Sequence, residues 1–138
     1  MATYVKFQPF VENLAKGKFN FTSDATCTIT VALSATEPTA TWNQLSQVSQ
    51  VSYANLSARV VAVDSSAQTG GIYKLVLTDL DLSASGDVAT FRYIILYDDD
   101  STDDLLICYF DKGENITLHN GEKISLDFDG TDGLFQLQ

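Results

Sequence analysis

The chain has 138 residues, 45% of them apolar and 19% charged, which is the size and balance of one globular domain and not of a disordered or membrane-spanning chain. Its formal charge of −10 excludes a surface built to hold phosphate, and with it a nucleic-acid partner. The charge is uneven: residues 1–78 carry five basic and four acidic side chains, residues 79–138 three basic and fourteen acidic. This split predicts an acidic face turned to solvent or sister subunits and a near-neutral face carrying Lys6, Lys16 and Lys18.

The opening MATYVKFQPFVENLAKGK lacks the continuous apolar core of a signal peptide, and no apolar run is long enough to span a bilayer. Synthesis in a reducing cytosol, with no membrane partner, is the expectation. Within this stretch Phe7, Phe10, Val11 and Leu14 recur at helical spacing. Pro9 suits a first turn, Glu12 the N-terminal half, Lys16 the C-terminal half, and Gly17 a stop. A short helix follows, in a chain read as one domain, 1–138, with residues 1–20 as a docking segment and 21–138 as a β-sandwich.

From there the pattern turns to a period of two. In TCTITVAL, Cys27, Ile29, Val31 and Leu33 alternate with Thr26, Thr28 and Thr30, predicting a half-buried strand. Residues 34–56, rich in Ser, Thr, Gln and Ala, read as a long loop with a helical turn lying over the sandwich. ARVVAV and GIYKLVLTDLDL are strands, the latter changing parity near Thr78–Asp79, where a bulge is predicted. Gly70-Gly71 has no following helix and no Lys-Ser/Thr pair, so it is a tight turn and not a phosphate loop. FRYIILY and LLICYF read as central strands. NITL and KISLDFD flank Asn120-Gly121, a strong hairpin signal, and LFQLQ is the last strand. The sum is an all-β chain: an antiparallel β-sandwich or barrel, jelly-roll-like, of about eight strands with a short N-terminal helix.

Between the two central strands lies LYDDDSTDD, with five aspartates from Asp98 to Asp104. Asp98, Asp100 and Thr102, or Asp99, Ser101 and Asp103, place oxygens at alternate positions as calcium loops do. A loop of the helix-loop-helix type starting at Asp98 needs Gly sixth and Glu twelfth, and here those places hold Asp103 and Tyr109. Asp98, Asp100 and Asp103 are therefore weak metal candidates beside the plainer reading, a solvated turn that keeps strand edges apart.

Catalytic patterns are thin. His119, the single histidine, falls at the predicted hairpin turn, and no G-x-S-x-G or Cys-His signature accompanies it. With eighteen acids some carboxylate pair always qualifies for glycoside chemistry, so that signal is empty. Cys27 and Cys108 lie in apolar runs, where a thiol behaves as a small buried hydrophobe. The three Asn-x-Ser/Thr triplets, at Asn20, Asn55 and Asn115, carry no meaning without secretion. Tyr93, Tyr97, Tyr109 and Phe110 read as core, and Trp42, in a polar segment, as the best exposed aromatic. No enzyme activity and no cofactor are expected.

YVKFQPFVENLAKGKFNF, SSAQTGGIYKLVL, FRYIILYDDDSTDDLL and LHNGEKISLDFDGTDGLFQL together resemble a group of small tailed-bacteriophage virion proteins, with residues 34–60 matching least. The resemblance implies a capsid decoration, or cement, protein. Such a protein acts as a homotrimer on the outer capsid surface, bridges neighbouring capsomers of the major capsid protein, and is assembled in the host cytoplasm. The expected interface is Lys6, Phe7, Phe10, Lys16, Lys18 and Trp42. Two other readings stand beside it: a tail or fibre component that binds a host cell-surface glycan, and a calcium-stabilised β-sandwich interaction module.

Overall fold

A computed structural model describes residues 3–22, 27–100 and 102–138. Thr26 and Ser101, used above, lie outside the described residues. The described chain holds ten strands and one α-helix in the order β1 (Thr3–Lys6), α1 (Gln8–Ala15), β2 (Ile29–Ser34), β3 (Val60–Val61), β4 (Val63–Thr69), β5 (Ile72–Leu77), β6 (Leu80–Ser83), β7 (Phe91–Asp98), β8 (Leu106–Ile116), β9 (Lys123–Leu126) and β10 (Phe135–Leu137). A five-stranded sheet runs β1-β8-β7-β2-β3, a three-stranded sheet β10-β5-β4, and β6 pairs with β9; every pairing is antiparallel. One core cluster draws on all three sheets, including Ile95 and Leu33 from the first, Leu75 from the second, and Leu82 and Leu126 from the third. The fold is an all-β sandwich.

The apolar runs in β7 and β8 make the centre of the large sheet, because both faces there are covered. Phe110 meets Phe128 on one face, with ring centroids 6.1 Å apart. Tyr109, of opposite parity, meets Phe7 on the other at 5.3 Å. Strand β2 is buried at all six positions, so it is not the half-buried strand its alternation predicts. The face bearing Thr30 and Ala32 is as enclosed as the face bearing Val31 and Leu33.

Helix α1 has the expected two turns. Phe7 enters it in extended conformation and Pro9 sits in its first turn. Gly17, at φ +74°, ends it: the Gly17 N–H bonds Leu14 and the Lys18 N–H bonds Asn13, the paired closure of a left-handed C-terminal cap. Glu12 lies beyond the first turn and so does not complement the N-terminus, whereas Lys16 is the C-cap residue; the two pair with each other at 3.5 Å. Because Thr3–Lys6 pairs with Cys108–Asp111, the N-terminal segment is built into the large sheet.

Two turns differ from expectation in an instructive way. At Thr78–Asp79 the parity changes because the chain leaves β5 in one sheet and enters β6 in another, not through a bulge. At His119–Glu122 the Asn120-Gly121 turn forms, with Gly121 at φ +85° and the Glu122 N–H bonded to the His119 carbonyl. It does not join paired strands, since β9 pairs with β6. The Gly70-Gly71 turn does close a hairpin, β4–β5, with φ of +61° and +84° and Thr69 opposite Ile72.

Candidate docking surface

Strand β1 carries Lys6 at its end, level with Cys108 in β8, and the chain turns directly into α1. Lys6, Lys16 and Lys18 are all exposed. Lys16 is only loosely engaged by Glu12, since both side chains are well solvated (61% and 69% exposed) and such pairs are weak. Three exposed cations thus lie along the first segment.

Phe7 and Phe10 are not part of it. They are 0% and 1% exposed, and each contributes roughly 1.5–3 kcal/mol of burial to the chain's own core. Phe10 packs edge-on against Phe19 at 5.0 Å and Phe135 at 5.3 Å, locking the helix to the small sheet. The helical spacing that marks these residues is the spacing of an inward face, and an inward face within one chain has the same signature as a docking face. Trp42 is half-buried against the core and not the exposed aromatic expected. Its neighbours anchor it: the buried Asn13 Nδ2 donates to Asn43 Oδ1 at 2.7 Å, and the Gln8 N–H bonds Ala40. Leu45, Val51 and Tyr53 also pack on the core, and Leu45–Gln47 forms a 3₁₀ turn, so the long 34–56 segment does lie over the sandwich.

The acidic turn closes the β7–β8 hairpin. Its first aspartate is inside the protein: Asp98 is 2% exposed, its Oδ1 accepts the Asp100 N–H at 3.0 Å, and its N–H bonds Leu105. Asp100 Oδ2 accepts the Thr28 hydroxyl at 2.5 Å, and the Asp99 N–H bonds Thr28. Asp104 adopts φ +50°, and its carboxyl is pushed above the usual range by partial burial first and by Asp99 and Asp103 second. Among the described residues no three His, Cys, Asp or Glu side chains gather where they would hold a metal, and Asp98, Asp100 and Asp103 do not converge.

The charge map corrects another expectation. Leu45 bonds the Asp104 carbonyl and Leu106 bonds that of Asn43, so the segment beside α1 lies against the acidic turn. The helix that Lys6 and Lys16 flank and the densest run of aspartates therefore share one end of the hairpin. A split that is sharp along the chain is not a split between opposite ends of the molecule.

The remaining reactive groups are quiet. Burial, with Asp98 as the next cause, pushes the Cys27 thiol up, and burial does the same to Cys108. Both cysteines are buried and free. His119 Nδ1 lies 2.9 Å from Asp87 Oδ1 on the surface, and that carboxylate raises the imidazole above its ordinary pKa.

The reading from residues missed one feature, a groove of about 680 Å3 between the large sheet and the segment after β9. Ile94, Phe110, Leu126 and Phe128 give it apolar walls, and Lys112, Asp127 and Asp129 lie along it. A recess of about 290 Å3 continues it to Tyr4 and Leu134. The signal was present in DFDGTDG, where three aspartates and two glycines fall within seven residues. Asp127 accepts the Asp129 N–H, and Asp129, at φ +52°, accepts those of Thr131 and Asp132, which holds the loop away from the sheet.

No protein-family model matches the chain, and neither does a curated protein or a solved structure.

Proposed function

We propose that this chain is a non-catalytic virion protein, a decoration protein that binds as a homotrimer to the major capsid protein on the outer head surface and bridges neighbouring capsomers. The observation that carries this reading is where the motifs of the resemblance lie. YVKF forms β1 and enters α1, the Gly70-Gly71 pair closes β4–β5, and FRYIILY is the centre of the large sheet. They build the frame, and through Tyr4, Ile94 and the stretch from Leu126 to Leu134 they also line the groove and its recess. A protein that reinforces a shell needs a rigid frame, and β2 and β7 supply one that is buried almost throughout.

In this reading Lys6, Lys16 and Lys18 dock on an acidic shell surface, with the aspartates of the hairpin turn at the same end limiting the poses that bring opposite charges together. The glycan-binding alternative loses support, because Trp42 packs against the core. The test is occupancy: shells mixed with wild type and with the triple variant Lys6→Glu, Lys16→Glu, Lys18→Glu should show reduced loading of the variant. Equal loading contradicts the docking assignment.

A further inference from the structure

Strand β1 is the open edge of the large sheet. The Phe7 N–H bonds Ile107 in β8, so Phe7, Val5 and Thr3 direct their backbone groups inward, and the alternation turns those of Tyr4 and Lys6 outward. Among the described residues these outward groups meet no backbone partner. Beside this edge the two halves of the sandwich stand apart. Tyr4 packs on Phe110 at 5.4 Å, Phe110 reaches Phe128, and the groove and its recess run between them and the Asp127–Leu134 segment. A recess that opens at Tyr4, beside an unpaired sheet edge, has the form of a site for one more strand.

We propose that this side receives an extended strand of another protein, which adds to β1 and seats alternate apolar side chains against Tyr4 at the recess, with a lysine or arginine meeting Asp127 and Asp129. The charge argues for that occupant. Asp127 and Asp129 outnumber Lys112 along the groove, and hydrogen bonds from Asp132 and Thr131 keep the Asp129 carboxyl below the usual range, so it is ionised at neutral pH. The inference does not depend on the decoration reading, because it concerns the edge and the groove alone.

The probe is a synthetic peptide of about six residues, alternating valine and threonine and ending in lysine, the length a single added strand presents. Titrated into isotope-labelled full-length protein, it should shift the amides of Tyr4, Lys6 and the Asp127–Leu134 segment and slow hydrogen exchange at Tyr4 and Lys6. The same peptide N-methylated on the edge facing β1 should bind at least about tenfold more weakly, the factor that ~1.4 kcal/mol carries. Asp127→Asn keeps the oxygen that accepts the Asp129 N–H, and it should weaken the lysine peptide but not a neutral one. Lys6→Pro, which removes an outward N–H, should weaken binding where Lys6→Ala does not. Absence of any shift at millimolar peptide, or equal binding of the N-methylated form, overturns the proposal. So does self-association of the protein alone that Lys6→Pro abolishes, which would assign the edge to a second copy.

Discussion

The Arg59 guanidinium lies over the Tyr53 ring, 3.7 Å from its centroid, and the two side chains together finish the outer edge of β2. Strand β3 pairs only with Ile29 and Thr30. Beyond that point Arg59 donates to the Val31 carbonyl at 2.5 Å, and the Tyr53 hydroxyl accepts the Leu33 N–H at 3.1 Å while donating to Gln50 at 2.6 Å. A loop does there what a longer β3 would do, pairing the N–H and carbonyl groups of Val31 and Leu33.

Tyr53→Phe removes the acceptor of a buried N–H and should cost about 1–2 kcal/mol in denaturant unfolding. Arg59→Ala should also destabilise, and the double variant should lose less than the two singles combined, by about 0.5–1 kcal/mol for the stacked pair. Strict additivity would show that the stacking contributes nothing.

Thr30 is 4% exposed, and its hydroxyl has no hydrogen-bond partner among the described residues. Thr30→Val replaces that group with a methyl of similar shape, and it should raise stability by about 1 kcal/mol. A loss of similar size would mean that the hydroxyl is satisfied in solution.

Two glycines with left-handed backbone should respond differently. Gly70, at φ +61°, has open space around an added Cβ, so Gly70→Ala should cost only the conformational penalty, roughly 1–2 kcal/mol. Gly133, at φ +79°, would place its Cβ 2.5 Å from the Leu75 carbonyl oxygen, which already accepts the Leu134 N–H at 2.7 Å. Gly133→Ala should cost clearly more than Gly70→Ala in thermal or denaturant unfolding. Equal costs would show that the β5–β10 junction yields freely.

His119 provides a pH test. Asp87 raises its pKa above the ordinary 6.5, by hydrogen bonding first and by charge second. A histidine whose pKa is raised on folding stabilises the fold fully below the unfolded value and loses that contribution as pH rises through the folded value. Because the pair is on the surface, the effect on stability is small and salt-sensitive. An NMR titration should place His119 above 6.5 in the wild type and lower it in Asp87→Asn. Unchanged titration in the variant would dissolve the pair.

Much of the frame was legible because burial imposes a pattern. Apolar runs marked β7 and β8, helical spacing marked α1, and Gly70-Gly71 marked a tight turn. Strand β4, VDSSAQT, was invisible for the same reason: it is an edge strand with exposed residues on both faces, so no alternation is written into it. Strand β1 is four residues long and mostly exposed. Local signals also say nothing of partners, and so the Asn120-Gly121 turn was legible while the pairing of β9 with β6 was not. In the candidate docking surface the lysines were readable as exposed. Phe7 and Phe10 were misread, since spacing reports an apolar face without naming what covers it.

The position of the protein in an intact particle bears most directly on its role. Cryo-electron microscopy of the virion should show this sandwich as trimeric density on the outer head surface, at the three-fold and quasi-three-fold positions, with the Lys6–Lys18 segment towards the shell. Density confined to the tail, with a bare head surface, would contradict the decoration role.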